Sequence, residues 1–284
     1  MNWTAERVVR ETQNISSLPT VYHQLSAAID DPNSSNRDIE QVICTDSGLT
    51  ARLLRVANSA LYSFPSKIDT ISRAITVLGT AQLRDLALAT SVFTIFEGVS
   101  SERLDTRDFW SHSVACAVVA RILAGYRHEA NVERFFVAAL LHDLGRLLMF
   151  MTIPELAGKA LDHAAASQTL LFRAEHDIIG FDHAAVGSLL LKSWKLPEHT
   201  VNAVKYHHRP SIAGGPQVDA AIVHLADILT SAMRLGASGE GFVPPLDAAA
   251  WDQLGLSPSV LAPTLEQTAH QFSEAIKVIL PQSS

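Results

Sequence analysis

Cysteine is scarce in this chain: Cys44 and Cys116 are the only two in 284 residues. Both sit in apolar helical patterns, and two such thiols make no disulfide framework. A reducing, bacterial-style cytoplasm is therefore the expected compartment. Long hydrophobic runs are missing as well. None approaches the ~18 residues that span a bilayer, and the charged start MNWTAERVVRETQN lacks the apolar stretch of a signal peptide, so no membrane partner is expected. Runs of β-branched residues between turn signals are absent, which argues against strands. Glycine-rich phosphate loops, internal repeats and low-complexity tracts are absent too. Charged residues make up only 18% of the chain and their balance is −7. An acidic total argues against broad binding to nucleic acid or anionic membrane.

What is present is helical periodicity in a chain that is 48% hydrophobic, enough for a sizeable core. VYHQLSAAI, RDIEQVICT, LTARLLRVANSALY and AQLRDLALATSVFTIF all place apolar residues at three- and four-residue intervals. Asp31-Pro32-Asn33 ends one helix, Ser47-Gly48 turns between two others, and Gly79 precedes a fresh start at Thr80. Asp182 and Asp219 have the character of helix N-caps, and Ser257-Pro258 that of a cap plus first-turn proline. GASGEGFVPP (236–245) reads as a loop. The expected fold is all-α. A polar, turn-rich stretch at 98–108 suggests a boundary between an N-terminal helical lobe (1–98) and a second lobe with C-terminal helices (108–284).

One segment contradicts its own oiliness. LLHDLGRLLMF (140–150) carries His142 and Asp143 where leucines would pack better, and a buried carboxylate is costly unless paired, protonated or bound to a metal. Partners of the right type lie elsewhere in apolar helices. They are His112, His183 at a helix start, the His207-His208 pair at a helix end, and Asp227, which shares a stripe with His224 and Ser231. Gly187, one turn after His183, would let another helix approach closely. Imidazoles and carboxylates on facing helices suit a borderline divalent metal such as Fe, Mn, Zn, Ni or Co. On spacing alone, hydrogen-bonded core histidines explain them equally well. His224 could simply bond a backbone carbonyl, and His23, His128, His163, His176, His199 and His270 read as surface or hydrogen-bonded residues.

Two surfaces invite other readings. Arg52 and Arg55 share one side of a helix and Asn58 follows; they fit either a protein-partner face or a solvated one, with Asn58 bonding across lobes. DIEQVICTDSGLTARLLRVANS superficially fits a helix-turn-helix, but Leu49, Leu53, Leu54, Val56 and Ala57 leave the second helix little surface for a groove, so nucleic acid is not the expected partner.

Trp110-x-His112-Ser113 followed by HDLG resembles the HD superfamily of metal-dependent phosphohydrolases. In longer order, Leu18-Pro19, LTARLLRVANSALY, ISRAITVLG, WSHS, ALLHDLGRLL, GFDHAAVGSLLLKSWKLP, VKYHH and LAD resemble the HDOD family, the HD-related output domains of bacterial signalling, from about Leu18 to about Asp227. The resemblance implies an N-terminal helical lobe, a divergent HD lobe, and a regulatory role exercised through a signalling protein partner. It also implies that His112, His142, Asp143 and Asp227 match the core metal ligands. His183, His207 and His208 match the extra histidines that hold a second ion in HD-GYP phosphodiesterases, with Asp143 as the bridge. One or two divalent ions are thus the implied cofactors. Were the chain an enzyme, it would be a phosphohydrolase of a phosphate ester or nucleotide, with Asp143 catalytic and Arg146 gripping phosphate. Two departures count against cyclic-di-GMP hydrolysis: Arg146 stands where HD-GYP proteins carry lysine, and no GYP triplet follows His208.

Overall fold

The structure is a computed structural model that describes residues 3–12, 17–59, 61, 62, 64–96, 99, 103–214 and 217–279. Among these residues every regular element is helical, as expected. The N-terminal part comprises α1 (Ala5–Thr12), α2 (Thr20–Asp30), α3 (Asn36–Cys44), α4 (Ser47–Ala57), α5 (Ile71–Leu78) and α6 (Thr80–Ile95). Local chemistry sets their starts. Ser35 and Asp38 form a reciprocal capping box on α3, the Asp38 carboxylate accepting Ser35 N–H at 2.8 Å. Asp46 accepts Leu49 N–H at 2.9 Å and so caps α4. Ser47-Gly48 is therefore the first turn of α4 rather than a turn between helices, and Thr45-Asp46 makes the connection. Asn58 bonds locally, to the carbonyls of Leu54 and Ile68 and the N–H of Ile68, instead of reaching across lobes.

The remainder comprises α7 (Thr106–Tyr126), α8 (Glu133–Leu141), α9 (Leu144–Thr152), α10 (Pro154–Ser167), α11 (Leu171–Ile179), α12 (His183–Ser193), α13 (Glu198–Tyr206), α14 (Val218–Met233), α15 (Ala248–Leu254) and α16 (Leu261–Ile279). Asp105 opens α7 by accepting from Arg107 and Asp108 N–H; residues 98 and 100–102 of the polar stretch before it lie outside the described residues. Asp182 caps α12 as expected, accepting Ala185 N–H at 2.9 Å. Asp219 does not cap α14, which begins at Val218. It lies within the first turn, 3.2 Å from the Arg134 guanidinium.

The centre of the molecule is α7, against which α8, α14 and α16 pack. Phe109, Val114, Val118 and Leu123 on it are fully buried, each such side chain contributing about 1.5–3 kcal/mol of burial. The C-terminal α16 lies on α7 of its own chain and reaches α4. One apolar cluster runs from Ala5 on α1 to Ala275 on α16, and a small satellite of Ala160, Ala164, Leu171 and Ala174 lies under α10 and α11. The segment Glu133–Thr152 is, contrary to expectation, long and apolar enough to cross a membrane, yet 89% of its most apolar window is buried inside the protein. It is also not one helix: it breaks at His142-Asp143.

Candidate metal centre

That break answers why two polar residues sit in an oily segment. His142 and Asp143 occupy the turn between α8 and α9, with Asp143 at φ −97°, ψ 2°. Apolar periodicity runs through the segment as if it were one helix, but a turn interrupts it there and directs both side chains inward. Gly145 permits it. A Cβ on Gly145 would lie 2.0 Å from the His183 carbonyl oxygen and 2.5 Å from Gly187 N, so α9 and α12 cross with backbone almost touching backbone. Gly187 allows the close approach expected of it.

The structure brings all the candidate ligands together. From α7 comes His112, from the α8–α9 turn His142 and Asp143, from the start of α12 His183, from the turn after α13 His207 and His208, and from α14 Asp227. His112 Nε2 lies 3.2 Å from Asp227 Oδ1 and 4.0 Å from Asp143 Oδ2. His142 Nε2 is 3.3 Å from Asp143 Oδ2, while His183 Nε2 and His207 Nε2 lie 2.9 and 3.9 Å from Asp143 Oδ1. Every member is buried except His208, which is half-buried and stacks on Phe172.

Tautomers follow from the backbone. His142 Nδ1 donates to the Ala139 carbonyl at 2.6 Å and His207 Nδ1 to the Val204 carbonyl at 2.7 Å. Each ring thereby turns Nε2 toward Asp143. His142 Nε2, His207 Nε2 and Asp143 Oδ1 are buried and make no well-formed hydrogen bond, and the three residues offer atoms within 4.8 Å of one another. His183 Nε2 lies close to that carboxylate oxygen but off the hydrogen-bonding direction. Converging, unpaired lone pairs in a dry interior are what a bound cation would satisfy. Two further groupings also offer ligand atoms within 4.8 Å of one another: His112, Cys116, His142 and Asp227, and His183, His207 and His208.

The electrostatics favour positive charge here. Burial pulls the His142 imidazole down more than any single neighbour lifts it, but Asp143, Cys116 and Asp227 together hold the group at about 9. Burial would raise Asp227, yet the bond to His112 brings it to about 2, and Asp143 is held well below the carboxylate range against its burial, chiefly by Arg146. Burial and the neighbouring His142 push His207 down to about 3. A proton and a metal ion compete for the same Nε2 lone pairs, and the two carboxylates attract either.

Several participants were not visible as such in the sequence. Cys116, one turn after His112, places Sγ 3.4 Å from His112 Nε2; its helical spacing from His112 was the available signal. Glu175 on α11 accepts His183 N–H at 2.9 Å and lies 2.5 Å from His183 Nδ1. Ser238 in the 236–245 loop accepts from Arg146 through Oγ at 2.6 Å and its carbonyl at 2.8 Å. Gly236 lets that loop lie on α7, since a Cβ there would come 2.3 Å from His112 N. His224 is not a ligand: Nδ1 donates to the His207 carbonyl at 2.7 Å and Nε2 accepts Asp247 N–H at 3.0 Å. Arg146 is 1% exposed and ion-paired to Asp143 at 3.0 Å.

A family model for the HDOD domain matches residues 15–210. A curated relative, an uncharacterized protein of Treponema pallidum (strain Nichols), is 24% identical over 205 residues, which is 72% of this chain but 39% of the relative. The chain thus spans well under half of that protein's length. Among solved structures, an HDOD domain protein with unknown function from Geobacter sulfurreducens superposes with a TM-score of 0.80 at 23% identity, covering 96% of this chain and 98% of the other. A protein of Shewanella amazonensis SB2B described as a "Putative phosphohydrolase" gives 0.76 at 25% identity, covering 96% and 97%. The helical fold, the order of the motifs and the family match agree, and the chain belongs to the HDOD domain family.

Proposed function

We propose that this protein is a regulatory module of bacterial signalling, working in the cytoplasm through contacts with a protein partner, with a closed metal centre at its heart. The observation that carries the reading is the closure of the cluster. Asp143 is 2% exposed, Asp227 7%, and His142, His183 and His207 are fully buried. Catalytic metal sites keep an open position, whereas structural ones are closed. A cavity of about 160 Å³ beside His208, lined also by Phe172, Arg209 and Asp247, is smaller than the roughly 300–1,000 Å³ of ordinary ligand pockets. A cleft of about 1270 Å³ borders Trp3, Lys192 and Tyr206 and includes none of the cluster.

His112, His142, Asp143 and Asp227 would hold the ion, with Cys116 adjacent. A bound divalent ion supplies a fixed positive centre that offsets two buried carboxylates and joins α7, the α8–α9 turn and α14. The chain's own residues do the positioning: Ala139 and Val204 carbonyls orient His142 and His207, and His224 holds the turn that carries His207. The N-terminal part, 1–98, supplies the partner surface in this reading. Of the two arginines expected to face a partner, Arg55 of α4 is exposed and Arg52 half-buried, while Leu49 and Leu53 of the same helix are fully buried, which disfavours entry into a DNA groove.

Elemental mass spectrometry of untagged protein, beside Asp143→Ala, is the test. At least one equivalent of Fe, Mn, Zn, Ni or Co, lost in the variant, supports the centre; no metal after reconstitution overturns it. The second reading, a metal-dependent phosphohydrolase of a phosphate ester or nucleotide, is favoured by the complete ligand set. Turnover of phosphomonoester or phosphodiester substrates that disappears with Asp143→Ala would replace the scaffold reading with this one.

A further inference from the structure

We infer that the Arg146 guanidinium is the resident second cation of this centre, so that the cluster takes one metal ion and not two. The inference rests on the metal-centre reading and deepens it. His183, His207 and His208 have the spacing for a second ion, but His183 has only Nε2 to offer, because Glu175 holds its Nδ1 at 2.5 Å. That Nε2 lies 3.2 Å from Arg146 Nη2. An ion bound to it at about 2.1 Å would press against a permanent positive charge.

The guanidinium cannot simply swing aside. Nη1 donates to Asp143 Oδ2 at 3.0 Å and to both oxygens of Ser238, and Nε donates to Glu175 Oε1 at 3.4 Å. Its partners come from the α8–α9 turn, α11, α12 and the 236–245 loop, and the side chain is 1% exposed. Asp143 Oδ2, the oxygen nearest His112 and His142, accepts from Arg146, while Oδ1 faces His183 and His207, so the guanidinium and those rings share one carboxylate. The same contacts remove Arg146 from the role of a phosphate grip expected from the sequence. Glu175 is a positioning residue: it orients the His183 ring with one oxygen and anchors Arg146 with the other. His112, His142 and Asp227, with Cys116 and Asp143 beside them, lie on the other side of the Asp143 carboxylate and are the place for a single ion.

The test titrates the full-length protein with Mn²⁺, measuring bound metal by native and elemental mass spectrometry. Wild type is expected to saturate at one equivalent, Arg146→Lys also at one, and Arg146→Met, which keeps the stem and loses the charge, at two. Circular dichroism checks that the variants fold. Should Arg146→Met fail to fold, electron paramagnetic resonance of the Mn²⁺-saturated wild type decides: an isolated-ion signal supports the inference and a spin-coupled pair overturns it. Two equivalents in the wild type, or one in a folded Arg146→Met, overturns the role of Arg146 and leaves the metal centre standing. No binding in the wild type defeats the metal-centre reading itself.

Discussion

His224 shows how a residue of the right type and stripe can serve the centre without joining it. Its two nitrogens satisfy the His207 carbonyl and the Asp247 N–H, so replacing it with phenylalanine leaves the buried His207 carbonyl and the half-buried Asp247 N–H without this partner. His224→Phe is expected to lower stability by about 1–3 kcal/mol in denaturant melts and to weaken metal retention against a chelator. A second residue gives a pH signature away from the cluster. Burial pushes Asp85 up to about 6, against the Asn131 amide that donates to it at 2.8 Å. Its folded pKa exceeds the unfolded value near 3.9, so the folded state prefers the protonated acid. The penalty is absent below about pH 4, grows as pH rises to about 6, and is constant above. Relative to Asp85→Asn, the wild type should lose at most ~1.4 kcal/mol per pH unit across that window in paired urea titrations, and a flat difference would contradict the assignment.

At the scale of elements, the α9–α12 crossing is the tightest joint described. Gly145→Ala must push aside backbone at 2.0 and 2.5 Å, which a neighbouring side chain cannot relieve by rotating. A loss of about 3 kcal/mol or more is expected, with the α8–α9 turn displaced. Gly125 on α7 is the control: exposed, with nothing within 4 Å of an added Cβ, its alanine variant should gain roughly 0.5–1 kcal/mol. Thermal melts of the pair read opposite signs. Helix identities were legible in the sequence because three- and four-residue spacing survives without knowledge of the fold. The break at His142-Asp143 was not, because apolar periodicity runs straight through it from Phe136 to Phe150. Asp219 misled because an aspartate just inside a helix looks like one just outside. Of the centre, the histidines and aspartates were visible as costly residues in oil. Glu175 and Ser238 were not: the sites they serve lie 29 and 92 residues away from them in sequence at Arg146, and only folding joins them.

For the whole molecule, the apolar cluster that runs from α1 to α16 passes across the expected boundary at 98–108. A single calorimetric transition is expected in place of two, and metal at a hundredfold its dissociation constant should add about 2.7 kcal/mol, or several degrees, that a chelator removes. Two separate transitions would show the lobes melting independently. The same continuity has a consequence during synthesis. Residues 133–152 carry the hydropathy of a membrane span, and part of what covers them, α12 to α14, is made later. At ~5–20 residues per second, the ribosome needs roughly 4–16 s to reach the end of α14. Through that interval a bilayer-like segment waits for its cover, and the polar His142-Asp143 step within it does not bring its hydropathy below that of a span.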